Sequence, residues 1–217
     1  MPATEAPVTE VPVSEVPAPI AETMSLLDWR RRIAELYTTL RAEGGSETAW
    51  RRWCDTRAEL FASHPQSPLP PGRRDELPRY FDHDPSLRTT GRIVEAEPLE
   101  IRLPGSLSET FPARRFGVAE FALRGLRCRL DLFWLDGYAG GLLVPFRDAT
   151  SGNQTYGGGR YLLDTSKGAD LGGGAAELVL DFNFAYQPSC SYDPRWSCPL
   201  SPPGSILPLE IRAGERL

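Results

Sequence analysis

The sequence predicts a mainly β protein, an antiparallel β-barrel or barrel-like sandwich fronted by an N-terminal helical hairpin. Three observations carry that reading. Between residues 25 and 64, apolar side chains recur at three- and four-residue steps, the period of helices with one buried face. Beyond the proline-rich loop at 68–71 the period falls to two, and short alternating runs follow one another at hairpin spacing. Strand-like and helix-like stretches do not alternate, which argues against a parallel sheet.

The elements follow in order. Residues 1–22 form a degenerate five-residue repeat with Pro2, Pro7, Pro12 and Pro17 interleaved with Glu5, Glu10 and Glu15. Proline at every fifth position blocks a helix and leaves nothing to pack, so a disordered acidic tail is expected. The helical hairpin is expected over 23–66 and the β domain over 67–217. Ser25 is the expected N-cap of the first helix, with Leu26, Trp29, Ile33, Leu36, Tyr37 and Leu40 on its apolar face. Gly44-Gly45 stops it, and Ser46 caps a second helix whose Trp50, Trp53, Cys54, Leu60 and Phe61 face inward until His64-Pro65.

The clearest strand is 126–135. There Leu126, Cys128, Leu130, Leu132 and Trp134 share one face, and Arg127, Arg129, Asp131 and Phe133 the other. Asp136-Gly137 reads as a tight hairpin turn into 140–146. Further strands are expected near 91–97, 99–103, 115–123, 159–164, 175–184 and 205–213.

Composition bounds the function. A chain of 217 residues with 41% hydrophobic and 10% aromatic content suits one soluble globular domain with additions. A folded part of about 190 residues buries roughly 70% of its unfolded surface, ample for a core without staples. No apolar run approaches the ~18 residues of a membrane span, and the N-terminus lacks the features of a signal peptide. The expectation is a cytoplasmic protein with no membrane partner. Of the formal charge of −5, four units belong to the acidic tail, leaving 24 basic against 25 acidic residues. A near-neutral body does not suit a nucleic-acid partner, which needs a basic stripe. Lys167 is the only lysine. Cys54 and Cys128 fall on apolar faces and read as buried thiols.

Chemistry-bearing residues concentrate between Pro145 and Pro199. Asp148-Ala-Thr-Ser-Gly152 has the form of a turn in which Asp and Thr side chains bind local N–H groups. Gly157-Gly158-Gly159, between Tyr156 and Arg160, permits a bulge or a close approach, but no Gly-Lys-Ser/Thr follows and it is no phosphate loop. Asp181 and Asn183 alternate with Phe182 and Phe184, which on a strand makes one polar and one aromatic face. Facing into a barrel, they can meet Arg160, either as a structural ion pair or as part of a ligand site. Cys190 and Cys198 have seven residues between them, not the close spacing of a zinc knuckle. The only histidines, His64 and His83, are distant, so no metal site is assigned.

These strings resemble a family. Leu143-Val-Pro-Phe-Arg-Asp-Ala-Thr-Ser-Gly152, Thr155-Tyr-Gly-Gly-Gly-Arg-Tyr161, Asp181-Phe-Asn-Phe-Ala-Tyr186, Cys190-Ser-Tyr192 and Cys198-Pro-Leu200 are similar to the proteins grouped as domain of unknown function 1684. The likeness runs from about Trp29 to Glu215. Two places depart from it: Gln187-Pro-Ser-Cys190 stands where Asn-Pro-Pro-Cys is expected, and Pro202-Pro-Gly-Ser205 where Pro-Pro-x-Asn is expected. The resemblance implies a place on the chain, not a reaction.

The leading functional expectation is a β-barrel pocket for a small anionic molecule. Its ligand-binding residues are Thr155, Tyr156, Arg160, Tyr161, Asp181, Asn183 and Tyr186, with Arg160 supplying the charge. One alternative is a hydrolase using Asp148 or Asp181 as general base. The other is a structural or protein-interaction module without a ligand. No motif assigns a cofactor.

Overall fold

The structure, a computed structural model, describes residues 17–138 and 140–217. Helix α1 (Ala18–Glu43) packs against α2 (Glu47–Ser63) as the expected hairpin. α1 begins seven residues before the expected cap. Ser25 lies inside the helix, its hydroxyl donating to the Glu22 carbonyl at 2.7 Å. Proline is tolerated in the first turn, where its missing N–H has no partner to lose, so the helix reaches back to Pro17 and Pro19. The tail expectation therefore fails for residues 18–22. Its remaining part, residues 1–16, lies outside the described residues.

On α1, Ile33, Leu36, Tyr37 and Leu40 are buried, whereas Leu26 is 40% exposed because the first turns overhang the body. Gly44 ends the helix at φ +68°, its N–H donating to the Leu40 carbonyl. Ser46 accepts from the Ala49 N–H at 3.2 Å and caps α2 as expected. Trp53, Leu60 and Phe61 of α2 are buried, with Trp50 and Cys54 half-buried.

Eight strands are described: β1 (Arg79–Tyr80), β2 (Arg88–Pro104), β3 (Thr110–Leu123), β4 (Leu126–Leu135), β5 (Gly141–Phe146), β6 (Arg160–Asp164), β7 (Glu177–Asp181) and β8 (Glu215–Arg216). Six form one antiparallel sheet in the order β6-β5-β4-β3-β2-β7, and β1 pairs with β8. The fold is mainly β, and the sheet curls into a half-barrel with the two helices attached. The runs 91–97 and 99–103 belong to the single strand β2, which bends where its pairing shifts between Glu95 and Leu99.

On β4, Cys128, Leu130 and Leu132 are buried as alternation demands, yet Leu126 and Trp134 are exposed and Phe133 is buried beside Leu132. The partner strand bulges at Phe116, between the pairs Arg115–Phe133 and Gly117–Leu132. A bulge adds a residue on one side only and re-aims the side chains beyond it. The β4–β5 connection is a five-residue loop, because Leu135 pairs with Gly141. No helix of the described residues is long and apolar enough to cross a membrane.

Two expected strands differ more substantially. The 175–184 strand stops at Asp181, whose carboxylate accepts from the Asn183 N–H at 3.1 Å and turns Phe182–Phe184 into a single 3-10 turn. The 205–213 strand does not form. That segment is an extended strap across the open side of the half-barrel, touching β5's end through the Arg147 N–H to Ser205 carbonyl bond (2.8 Å) and the Leu207 N–H to Arg147 carbonyl bond (2.8 Å). The free edge of β6 is covered by Tyr186, which exchanges two backbone hydrogen bonds with Tyr161. Leu207, Ile211 and Ala213 of the strap are buried in the same core as α1, α2 and the sheet.

The two serines at the helix starts separate these roles. Ser46→Ala removes a cap and is expected to cost about 1 kcal/mol in chemical denaturation. Ser25→Ala, inside a helix and exposed, is expected to stay within roughly 0.5 kcal/mol of the parent chain.

Candidate functional site

The strongest polar cluster of the expected site is built on β6. Arg160 projects from that strand into the interior with its side chain fully buried, over the ring of Phe146 at 5.1 Å. Its guanidinium donates to the carbonyls of Ile211 (2.8 Å), Ala213 and Glu215 (3.2 Å) of the strap and pairs with Asp148 at 3.4 Å. Asp148 is closed in turn. It accepts from the Thr150 N–H and hydroxyl, the Ser151 hydroxyl and the Ile211 N–H, the last at 2.7 Å. Thr155 completes the turn through its hydroxyl contact with Thr150 at 2.9 Å. The expected Asx-type turn is present. Burial pulls the Arg160 guanidinium below its ordinary value, and the neighbouring Asp148 acts against that.

Asp181 does not meet Arg160. It is buried and pairs with Arg88 at 3.2 Å, while also accepting from the Asn183 amide at 2.8 Å. Asn183 clasps the backbone of Asp84 from both sides, accepting at 2.8 Å and donating at 2.9 Å. The helix joint closes over this pair. A Cβ on Gly45, already at φ +75°, would lie 2.6 Å from the Asp181 carboxylate. Burial raises the Asp181 carboxyl, with Asn183 and Arg88 acting against it. The reason for the different pairing is the sheet order, which puts β6 with Arg160 and β7 with Asp181 at opposite edges, while the 3-10 turn at 182–184 takes Asn183 off the strand.

Tyr161 is buried and its hydroxyl donates to the Pro199 carbonyl. Tyr156 is half-buried, its N–H held by the Gln187 side chain at 2.9 Å. The structure thus gathers Asp148, Thr155 and Arg160 in one cluster and Asp181 and Asn183 in another, while Tyr156 lies beside Cys190 and Tyr161 packs on Tyr186.

On the far side of Tyr186 from Tyr161, a cavity of about 50 Å³ lies between the helical hairpin and the half-barrel. Its polar lining is Tyr37, Arg57, Lys167, Tyr186, Gln187 and Ser189, with Trp29, Ile33 and Phe61 as apolar wall. Of the expected site residues, Tyr186 alone lines it. Arg57, buried on α2, lies near the rings of Trp53 (5.2 Å), Phe61 (5.1 Å) and Tyr186 (4.9 Å). Its Nε donates to Glu215 Oε1 at 2.7 Å. The other Glu215 oxygen accepts from the Gln187 N–H and the Tyr192 hydroxyl, both at 2.8 Å.

Burial is the largest influence on the Arg57 charge and opposes it, but Glu215 together with Tyr80, Tyr192 and Tyr37 outweighs it, and the guanidinium is held above its ordinary value. Burial pushes the Tyr37 phenol up to about 12 and raises that of Tyr186 well above the ordinary value. Both phenols are therefore neutral at physiological pH and able to donate. The Tyr186 hydroxyl donates to Asp164 at 3.2 Å, and Lys167, half-exposed at the rim, stands 3.8 Å from the same carboxylate.

A second, larger groove of about 800 Å³ runs between the first turns of α1 and Trp196. It is mostly apolar, so the smaller, half-open cavity, with its cations and phenols, is the better candidate. Arg57, Glu215, Lys167 and Gln187 are absent from the sequence-based site. A signal for Arg57 existed: it stands four residues after Trp53 and four before Phe61, an arginine on the apolar stripe of α2.

The pairing at Arg160 is testable. Arg160→Ala and Asp148→Ala are each expected to cost on the order of 3–5 kcal/mol, because each strands buried polar partners. In double-mutant cycles, Arg160 and Asp148 should couple by more than about 1 kcal/mol, whereas Arg160 and Asp181 should be additive within about 0.5 kcal/mol.

Comparison with other proteins fits this architecture. The solution NMR structure of an uncharacterised protein from Haloarcula marismortui is 37% identical, with a TM-score of 0.57, over 79% of this chain and 94% of that one. No curated protein matches the chain at a significant level. The model of the family described as "Protein of unknown function (DUF1684)" matches residues 76–216, from the approach to β1 through the strap and β8. The chain belongs to that family.

Proposed function

We propose that the protein binds a small anionic molecule in the cavity between the helical hairpin and the half-barrel. The observation that carries this reading is the lining of that cavity: Arg57 and Lys167 on one small half-open space, with the Tyr37 and Tyr186 phenols and an aromatic wall. Binding sites are typically concave and apolar with a few convergent polar groups, and the barrel mouth is a favoured place for them. The cation that leads is Lys167. Arg57 is already matched by Glu215, whereas the Lys167 side chain is 49% exposed and only loosely paired with Asp164. A space of about 50 Å³ suits a carboxylate or a similarly compact anionic head, its remainder extending through the mouth.

The anion-binding role expected of Arg160 moves to these residues, since Arg160 is committed to the strap. The hydrolase alternative loses support, because internal donors occupy the carboxylates of Asp148 and Asp181. A cytoplasmic location remains part of the proposal.

Thermal melting against a panel of acetate, malonate, succinate, phosphate and sulfate tests it. A ligand at about 100 times its Kd adds about 2.7 kcal/mol, or roughly 5–10 °C for a chain of this size. At least one anion should raise Tm by several degrees. Lys167→Ala should abolish the shift and leave the unliganded Tm within about 1 °C, as an exposed pair contributes little. No shift with any of the five anions would overturn the reading and favour the structural or interaction module.

A further inference from the structure

Cys190 and Cys198 take no part in the cavity proposed above. Cys190 sits in a single 3-10 turn, Ser189–Ser191, half-buried, and Cys198 is buried at the start of the chain's return toward β2. Ser106, in the β2–β3 connection, holds the Cys198 backbone on both sides. Its hydroxyl accepts from the Cys198 N–H and its N–H donates to the Cys198 carbonyl, each at 3.1 Å. The same hydroxyl donates to the Trp196 carbonyl at 3.1 Å. The Cys190 sulfur lies 3.8 Å from the Tyr156 hydroxyl and beside both the Cys198 thiol and the Ser106 hydroxyl. The Cys190 sulfur thus sits in one cluster with a phenol and a second thiol.

We propose that Cys190 and Cys198 form a hydroperoxide-reactive dithiol, with Cys190 attacking the peroxide and Cys198 resolving the product into an intramolecular disulfide. The thiolate is the reactive form of cysteine, and Cys190 is half-buried, beside a second thiol that can take its proton and a phenol. The thiol of Cys198 holds that of Cys190 down to about 6, with the Ser106 and Tyr156 hydroxyls helping and partial burial opposing. Cys198 moves the opposite way: its proton is shared toward Cys190 and burial adds to the effect, while the more distant Lys167 charge acts against it. The two thiols thus share one proton between them more readily than either gives up its own. The remaining cysteines lack this arrangement. Burial pushes Cys54 up to about 12 and also raises Cys128.

The chemistry balances without a cofactor. The Cys190 thiolate attacks one oxygen of a hydroperoxide ROOH, an S–O bond forms and the O–O bond breaks, giving Cys190–SOH and RO⁻. The alkoxide takes up the proton that Cys190 released on ionising and leaves as ROH. The Cys198 sulfur then attacks the Cys190 sulfur, an S–S bond forms, and the S–O bond breaks as hydroxide leaves with the Cys198 proton as water. Two thiols are oxidised by two electrons, and the peroxide is reduced to ROH and water.

The reduced full-length chain, treated with equimolar hydrogen peroxide at pH 7, tests the proposal. Two of its four thiols should disappear. Trypsin cuts after Lys167, Arg195 and Arg212, so peptides 168–195 and 196–212 should then be joined by a disulfide alone. Cys198→Ser should stop at a sulfenic acid on Cys190, trapped by dimedone, and Cys198→Ala supplies the same reading if the serine variant misfolds. In the parent chain, alkylation of Cys190 by iodoacetamide should have its pH midpoint near 6, against about 8.5 for an unperturbed thiol. Retention of all four thiols under tenfold excess peroxide would overturn the proposal. So would oxidation of Cys198 in a Cys190→Ser chain at the parent rate, or an alkylation midpoint above 8.

Discussion

Two buried arginines fasten one extended segment, and the rest of the molecule is arranged around that fastening. The strap from Ser205 to Glu215 crosses the open side of a half-barrel without joining its sheet, so its carbonyls need other donors. Arg160 supplies them from β6, and Arg57 reaches from α2 to Glu215 at the strap's end. A guanidinium suits this work because its donors are fixed in one plane and it remains charged when buried. Gly214 lets the strap turn between the two fastenings. It adopts φ +71°, and a Cβ there would collide with the Ala185 carbonyl. Neither arginine is a free electrostatic gain. Burial opposes both charges, and each is tolerated only because a carboxylate and further acceptors surround it.

The candidate cavity follows from the second fastening. Arg57 and Glu215 hold the hairpin against the barrel mouth, and the aromatic residues around Arg57 form the floor of the space between them. Glu215 also fixes the Gln187 N–H and the Tyr192 hydroxyl, so one carboxylate positions the helix, the strap and the 187–192 segment together. The thiol pair lies in the same C-terminal stretch, held through Ser106 to the β2–β3 connection. Each feature with chemical potential thus depends on segments outside the regular sheet, a common division in which a rigid scaffold presents functional connections.

Much of the architecture was legible in the sequence because it rests on local rules. The hairpin follows from helical periodicity, the left-handed glycine at 44 and the Ser46 cap. β4 follows from strict alternation up to Leu132. The misread parts depend on distant partners. The strap alternates buried Leu207, Ile211 and Ala213 with exposed Ile206 and Arg212, which is the pattern of a strand. Any extended segment lying on a core alternates in this way, and only the ladder, invisible in sequence, makes it a strand. Arg160 was recognised as an important charge, but its partner was assigned by assuming that Asp181 and Asn183 stay on a strand. Two local hydrogen bonds from the Asn183 N–H and side-chain amide to the Asp181 carboxylate take Asn183 off it, and Asp181 ends β7 at the sheet edge opposite β6. Arg57 was hidden by its own residue type, since a charge on an apolar stripe reads as an interruption until Glu215, 158 positions away, is seen against it.

The central claim is that the Arg57–Glu215 pair couples the helical hairpin to the strap. A double-mutant cycle at this pair, read by urea denaturation, tests it most directly. Glu215→Gln leaves a buried guanidinium without its counter-charge and is expected to cost on the order of 3–5 kcal/mol. Adding Arg57→Met, which fills similar volume without charge, should restore more than half of that loss. If Glu215→Gln costs less than about 1 kcal/mol, or Arg57→Met adds a further loss instead of a recovery, the pair does not hold the two parts together and the account fails.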